Sequence, residues 1–420
     1  MRVLVTGSTG PSVPDGAWPD EAGDPAPAWP GGDGEPASAR SVPAPRDVAR
    51  WWAETAEATP GRPQDGVRVH HVGLATSGPA FLDAVALVAP ELLAGVVPGP
   101  GGRDVPVAVR RDVRTGTVYA DASQVPAADD LGTHDDTSHR RPPGGLARSL
   151  AASTAPRASD ALGHLLALCA DAARTVDGRP GRVVLGTGGA RSHDAGAGLL
   201  RALAGTVDAP VADQLRTARD ALRGAHLVAA VATDAPLLGL HGASAALAAR
   251  GVDDAVAQDL ERALGAFAHD VAAAVEVLDR DGGGPLGRDL LAASGPRRLA
   301  GVPGAGSGGG AAFAVAALGG RLVPALRVVA GAVGLDERLA DADLVVVVAD
   351  ELGAHELGDG AVHEVAHRAA RHAVPVVVVA RSVVAGRREQ AAAGLSGVYA
   401  WGEDPPRSLV ERVARTWSRT

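Results

Sequence analysis

One stretch of the chain combines glycines and an acidic residue in an order that could hold a phosphate group. It runs VVLGTGGARSHDAGAGLLRAL over residues 183–203. An apolar run ends at a series of glycines, and a second apolar run with helical spacing follows; the glycines are Gly186, Gly188, Gly189 and Gly196. A strand, a glycine-rich turn and a helix in this order place backbone N–H groups around a phosphate. On spacing alone, the stretch is either a phosphate-binding turn or an ordinary tight connection between strand and helix.

Asp194 lies near the predicted start of the helix that follows this turn. Its carboxylate could cap the helix, or it could hold a metal ion on a phosphate. The turn departs from two standard motifs. No Gly-Lys-Ser/Thr follows it, and Arg191 stands where the dinucleotide-binding pattern has its third glycine.

A second motif, HEVAH at residues 363–367, matches the helix pattern of zinc-dependent hydrolases. His363 and His367 would bind the metal, and Glu364 would act as the base. The segment lies between two apolar runs typical of buried strands, so a helix that only packs on a sheet is the competing interpretation. Ala373 stands where the extended motif has its third ligand. The sequence therefore favours packing and leaves a zinc-dependent hydrolase as a distant alternative.

The composition excludes several kinds of chemistry. The 420 residues contain no lysine, so phosphate charge must be met by arginine, backbone or metal. The net charge of -9 argues against nucleic-acid binding, which needs a basic face. No apolar run approaches the about 20 residues of a membrane helix. The single cysteine, Cys169, permits no disulfide within the chain, and we expect a cytoplasmic protein.

The order of predicted elements indicates an α/β protein of two domains. Continuous apolar runs alternate with helical segments, which is typical of parallel strands covered on both faces. We predict a parallel sheet with strands at 182–186, 226–232, 343–349 and 374–380, and a smaller part with an antiparallel pair within 105–120. We also predict a helix over 80–94. Residues 11–47 are rich in Pro, Gly, Ala, Asp and Glu and are predicted to be a disordered insertion.

Four segments together resemble the bacterial type I glycerate kinase family. The first is the glycine-rich stretch above, which resembles the family's Gly-Gly-Ser-Ala-Thr-Asn-Asp-Gly-Gly-Ala-Gly stretch. The second contains TDAPLLGLHGA and is similar to the family's Asp-Val-x-Asn-Pro-Leu-x-Gly segment, with Asp234 in place. The third contains GAGSGGGAAF, and the last is HRAARHAVPVVVVA. Their order and spacing hold from about residue 159 to about residue 385.

The resemblance implies a two-domain α/β fold with a parallel sheet flanked by helices and a smaller mixed α/β part. Residues 1–95 and 300–420 would form a Rossmann-like domain, and residues 96–299 a second domain that carries the glycine-rich turn. Family members use ATP and Mg²⁺ to phosphorylate the hydroxyl of glycerate, so the ligand would be a nucleotide or a glycerate-like molecule. The implied cofactor-binding residues are Gly186, Gly188, Gly189, Asp194, Gly196 and Asp234, with Asp194 beside the metal.

The chain departs from the family after its Asp-Leu-Val strand. The family continues with Gly-Glu-Gly-Arg-x-Asp-x-Gln-Thr, whereas this chain has VVADELGAHELGDGA. Glu351 stands for the arginine, Gly353 for the aspartate and His355 for the glutamine. These exchanges reverse a charge where phosphate or carboxylate would bind, and they remove a candidate base. We therefore predict a glycerate kinase family protein with weakened or lost activity, with a non-catalytic pseudo-kinase that binds a ligand or a partner as the alternative.

Overall fold

The computed structural model describes residues 1–8, 42–58, 66–127, 158–222, 224–248, 252–281 and 297–418. The predicted disordered insertion lies outside these residues as far as position 41. Its end was predicted wrongly, because a helix already begins at Pro45. Proline is well suited to the first turn of a helix, where its missing N–H has no partner to lose.

The chain forms two compact units, Met1–Ala75 with Val329–Thr420, and Thr76–Val328. The strands are β1 Arg2–Ser8, β2 Arg68–Leu74, β3 Glu91–Pro98, β4 Asp104–Asp112, β5 Thr117–Asp121, β6 Arg182–Gly186, β7 His226–Val231, β8 Arg321–Pro324, β9 Leu344–Leu352, β10 Val376–Val383 and β11 Leu395–Ala400. The helices are α1 Pro45–Glu57, α2 Pro79–Ala84, α3 Asp160–Ala172, α4 Ala197–Ala204, α5 Val211–Ala221, α6 Ala243–Ala248, α7 Asp254–Asp281, α8 Arg297–Ala300, α9 Ala311–Ala317, α10 Ala325–Ala332, α11 Leu335–Ala340, α12 Ala354–Gly358, α13 Ala361–Arg371, α14 Arg387–Ala392 and α15 Pro406–Trp417. None of the helices in these ranges has the length and hydrophobicity to cross a bilayer.

The first unit is built on a parallel sheet with the strand order β11-β10-β9-β1-β2. The valines of β9 and β10 are buried on both faces of the sheet, which explains why these strands read as continuous apolar runs. Trp52 of α1 and Val413 of α15 pack on one face of this sheet.

The second unit is built on a mixed sheet with the order β3-β4-β5-β6-β7-β8. Strands β3, β4 and β5 pair antiparallel, and β5 through β8 pair parallel. Helices α3, α4 and α9 contribute Leu165, Leu199 and Phe313 to its core. Because β5, β6 and β7 are parallel, the loops that follow them leave the sheet at one edge, where ligands of α/β proteins commonly bind.

Two sequence predictions need correction. The four predicted strands all form, but two lie in each sheet rather than all in one, and the antiparallel pair belongs to the mixed sheet. The helix predicted over 80–94 ends at Ala84, and residues from Glu91 form β3 instead. Pro90 separates the two elements, since a proline disfavours helical backbone at the residue before it.

Candidate functional site

The glycine-rich turn follows β6 and is fixed by its first residue, Thr187. The Thr187 side chain is buried, donates to the carbonyl of Ala230 at 3.2 Å and lies 2.8 Å from the hydroxyl of Ser307. Ser307 belongs to the second glycine-rich segment, residues 304–310. The turn is therefore held from both sides, by β7 and by this second segment.

The two glycine-rich segments interlock through backbone contacts. Ala195 N donates to Gly309 O at 3.1 Å. A Cβ added at Gly309 would lie 1.9 Å from Ser192 O, and one at Gly310 would lie 2.4 Å from Ala195 Cα. Both glycines also have positive φ angles, which other residues rarely adopt. Gly309 and Gly310 thus allow the two chain segments to approach each other closely.

Asp194 is buried at the start of α4 and accepts four hydrogen bonds. The donors are the amide and hydroxyl of Ser159 and the amides of Gly196 and Gly198, each at 2.9 Å. The Ser159 hydroxyl in turn accepts from Leu199 N at 2.9 Å. Burial raises the pKa of the Asp194 carboxyl, while these hydrogen bonds lower it. The contacts are those of a helix cap, and a role beside Mg²⁺ stays a prediction.

Gly188 and Gly189 form the half-buried tip of the turn. A Cβ at Gly188 would lie 2.6 Å from the Cβ of Ala232 and 2.9 Å from that of Ser77, and one at Gly189 would lie 2.5 Å from the Cβ of Ser123. Within the described ranges, the N–H groups of both glycines donate no hydrogen bond. Two amide donors are thus left for another acceptor at this edge of the mixed sheet.

Asp121, the last residue of β5, is the residue that sequence reasoning missed. It is 0% exposed, and its Oδ1 accepts from Ser123 N at 2.9 Å and from the Ser123 hydroxyl. Its Oδ2 has no hydrogen-bond partner among the residues that the structure describes. Burial raises the pKa of this carboxyl, against the hydrogen bonds from Ser123 that lower it. The available signal was an acidic residue directly after the strand TVYA.

Gly186 pairs with Asp121 in the sheet and leaves room for its side chain. A Cβ at Gly186 would lie 2.8 Å from Asp121 Oδ2 and 3.3 Å from the ring of Phe81. We name Ser77, Asp121, Ser123, Gly188 and Gly189 the carboxyl-edge cluster.

The remaining predicted site residues lie around this cluster in different roles. Gly196 is the N-cap residue directly before α4 and has a positive φ, and a Cβ there would lie 2.3 Å from that of Ala314. Asp234 is exposed in the loop after β7, and its carbonyl accepts from Gly304 N at 2.9 Å. The structure thus brings Gly186, Gly188 and Gly189 together with Asp121, whereas Asp194 and Gly196 shape the start of α4.

In the parallel-sheet unit, the acidic residues after the centre of β9 have partners of their own. Asp350 accepts from Arg381 at 2.5 Å, and Glu351 lies 3.4 Å from the Ser382 hydroxyl. Glu356 is buried and accepts from Val362 N at 3.0 Å, which caps α13. Burial raises the pKa of Glu356. The Arg381 guanidinium places a positive charge beside Asp350, and the Asp350 carboxylate compensates that charge.

His355, which the sequence comparison predicted to stand for a glutamine, pairs with Asp359 at 2.8 Å. The hydrogen bond from His355 holds the pKa of Asp359 below its usual value. Gly353 precedes α12 and carries no group that could accept a proton.

Comparison with known proteins decides the family. A model of the glycerate kinase family matches residues 152–417, which is well over half of the chain. The chain belongs to the glycerate kinase family. A crystal structure of a protein named glycerate kinase 2 from Salmonella typhimurium LT2 superposes with a TM-score of 0.63 at 18% identity, over 100% of this chain and 98% of that chain. This similarity confirms the predicted glycerate-kinase-like α/β fold, with one parallel and one mixed sheet.

Two curated relatives come from mycobacteria. The uncharacterized proteins Mb2228c of Mycobacterium bovis and MT2261 of Mycobacterium tuberculosis are each 29% identical over 223 residues, which is 53% of this chain and 51% of theirs. The chain therefore spans about half the length of the curated relatives it matches.

The HEVAH motif of this glycerate kinase family chain lies on α13, and the glutamate of the motif pairs with an arginine. Arg368 donates to Glu364 at 2.7 Å and also binds Asp336. The rings of His363 and His367 stack with centroids 6.2 Å apart. In the part of the chain that is described, no group of three or more His, Cys, Asp or Glu side chains is placed to hold a metal ion. The geometry supports a helix that packs on the sheet, because Glu364 serves an ion pair.

We expect Glu364 to stabilise the protein through its ion pair with Arg368 and to take no part in a metal site. Replacing Glu364 with Gln should lower the free energy of unfolding by about 1–2 kcal/mol, because Arg368 loses a charged hydrogen bond. EDTA should leave the melting temperature of the ATP-free protein unchanged, whereas removal of a structural zinc would lower it strongly. Glu276→Gln, at an exposed position of α7, is the control. A melting temperature that falls with EDTA and recovers with zinc would contradict this expectation.

Proposed function

We propose that this chain binds ATP–Mg²⁺ at the carboxyl edge of its mixed sheet and transfers phosphate to glycerate or a similar hydroxy acid at a weakened rate. The observation that carries the proposal is the pair of N–H groups at Gly188 and Gly189, which have no acceptor within the described ranges. A partly buried amide without an acceptor is costly, so a ligand with anionic oxygens would gain from binding there.

The residues at this edge fit a phosphate group. Side chains are absent at Gly188 and Gly189, and a Cβ at either position would collide with the neighbouring residues, so backbone amides can approach a ligand closely. The exposed carboxylate of Asp234, in the loop after β7, would hold Mg²⁺ on that phosphate. Mg²⁺ would supply the positive charge that a lysine supplies in other kinases.

A non-catalytic protein is the second candidate, and one contact favours it. Arg381 in the parallel-sheet unit donates to Asp350 at 2.5 Å, so its charge is already compensated. A chain that lost the family's arginine at position 351 and gained no free cation there would retain ligand binding more readily than phosphoryl transfer.

Thermal unfolding with and without ATP–Mg²⁺ tests the binding part. We expect a raised melting temperature, since a ligand at 100 times its Kd adds about 2.7 kcal/mol of stability. In Gly189→Ala the shift should be largely lost, because the new Cβ would lie 2.5 Å from that of Ser123 and displace the turn.

Gly331→Ala is the matched control, since nothing lies within 4 Å of a Cβ at that position of α10. It should keep the full shift. An unchanged melting temperature of the wild-type protein at millimolar ATP–Mg²⁺ would overturn the proposal.

A further inference from the structure

We propose that Ser123 takes up the proton of the acceptor hydroxyl during phosphoryl transfer, and that Asp121 receives the proton of Ser123 in turn. Ser123 would be a catalytic residue. Asp121 would orient the Ser123 hydroxyl and accept its proton. This inference rests on the proposed function, because it needs ATP–Mg²⁺ as the phosphoryl donor.

The Ser123 hydroxyl is oriented by Asp121. Its hydrogen is donated to Asp121 Oδ1. The lone pairs of the same oxygen are therefore left to accept a hydrogen bond from a ligand. A Cβ at Gly189 would lie 3.4 Å from Ser123 Oγ, so this acceptor stands directly beside the amides of the turn. The carboxyl-edge cluster thus offers donors for an anionic group and an acceptor for a hydroxyl group.

Asp121 occupies its position at a cost in stability. Its carboxylate is fully buried, and in the described part of the chain Oδ2 has no hydrogen-bond partner. An asparagine could accept the same bonds from Ser123 without placing a charge in the interior, where an incompletely paired charge is expensive. Burial also raises the pKa of Asp121 above that of an ordinary aspartate, in the direction that favours binding of a proton. A group that costs stability and is suited to take a proton points to a role in the reaction.

The segment after β9 has lost the family's candidate base. The aspartate of the family is replaced there by Gly353, which cannot accept a proton. Phosphoryl transfer to an alcohol needs a group that orients the hydroxyl and takes its proton. Asp121 acting through Ser123 supplies such a group in the mixed-sheet unit.

The transfer step conserves atoms, electrons and protons. The hydroxyl oxygen of the acceptor forms a bond to the γ-phosphorus while the bond from that phosphorus to the β,γ-bridging oxygen breaks. ADP leaves with the electron pair. The hydroxyl proton passes to Ser123 Oγ, and the Ser123 proton passes to Asp121 Oδ1.

A purely structural role for Asp121 predicts a different result. Asp121 also caps the short turn of residues 122–124 through the amide of Ser123. If capping were its whole purpose, Asp121→Asn would leave the turnover number near that of the wild-type protein, because an asparagine also caps well.

The test measures three quantities on the full chain: phosphoglycerate formed from D-glycerate and ATP–Mg²⁺, the Kd of ATP–Mg²⁺, and the melting temperature. For Asp121→Asn we expect a melting temperature no lower than that of the wild-type protein, a Kd within about twofold and a kcat lowered by about 10²-fold or more, as for loss of an acid–base group. Ser123→Ala should lower kcat by about 10-fold or more with a similar Kd. Asp213→Asn, at an exposed ion pair on α5, is the control and should match the wild-type protein.

The outcomes separate the two proposals. Wild-type turnover in both Asp121→Asn and Ser123→Ala would overturn the inference and leave the proposed function intact. Wild-type protein that binds ATP–Mg²⁺ but forms no phosphoglycerate would overturn the inference and the transfer part of the proposed function. Wild-type protein that does not bind ATP–Mg²⁺ would overturn both. If Asp121→Asn fails to fold, Ser123→Ala decides alone.

Discussion

Replacement of Asp194 by alanine should lower the free energy of unfolding of the mixed-sheet unit by about 3–5 kcal/mol, the range seen when one partner of a buried charged network is removed. The change leaves four donors without an acceptor at once: the amide and hydroxyl of Ser159 and the amides of Gly196 and Gly198. Each unsatisfied buried donor costs about 1–3 kcal/mol, and the costs are not additive. Urea unfolding followed by circular dichroism measures the effect.

Two further variants make this experiment specific. Asp194→Asn keeps one acceptor oxygen and should lie between the wild-type protein and Asp194→Ala. Asp213→Ala, at an exposed position, should stay within about 0.5 kcal/mol of the wild-type protein. A loss below about 1 kcal/mol in Asp194→Ala would contradict the capping role. If Asp194→Asn folds but no longer gains stability from ATP–Mg²⁺, the predicted metal role of Asp194 gains support.

Turnover with D-glycerate is expected to lie about 10²–10⁴-fold below the ~1–10³ s⁻¹ that is usual for enzymes. This expectation follows from the resemblance to the type I glycerate kinases, by which Glu351 at the end of β9 stands for an arginine and Gly353 for an aspartate. The Asp121–Ser123 pair supplies a proton acceptor, but it supplies no positive charge for the transferred phosphoryl group. Direct detection of phosphoglycerate by mass spectrometry gives the rate without interference from ATP hydrolysis.

Restoring the charge tests the reason for this slow turnover. Glu351→Arg restores the charge that the resemblance to the type I glycerate kinases assigns to this position, and we expect it to raise the rate by about 10-fold or more. Glu276→Arg makes the same charge change at an exposed position of α7 and should have no effect. Wild-type turnover in the usual range would contradict the weight given to Glu351 and Gly353.

Local sequence patterns predicted strands in both sheets. The sheet to which each strand belongs depends on pairing partners that are distant in sequence. The strands β6, β7, β9 and β10 could be predicted from the sequence because each is a continuous apolar run, which is typical of a strand that is buried on both faces of its sheet. Their division between two sheets depends on pairings such as β9 with β1, which join residues more than 300 positions apart and leave no local trace.

The site shows the same division between local and distant information. The glycine-rich turn after β6 was predicted from its spacing, since a series of glycines directly after an apolar run is typical of a tight turn. The contacts of Asp194 were not predictable, because Ser159 lies 35 positions away. Asp121 was missed because one acidic residue after a strand resembles an ordinary loop residue until its burial and its unpartnered oxygen are seen.

The interlocked glycine-rich segments also determine when this site can appear during folding. Ser192 donates to the carbonyl of Gly308 across 116 positions of the chain, so the turn is completed only after most of the second unit has been brought together. Closing so long a loop carries a large entropic cost, and contacts of this separation slow the folding of a domain. A nascent chain that ends before residue 304 lacks the segment that supports the turn, and the turn acquires its contacts with Ser307 and Gly308 only after synthesis has passed that point.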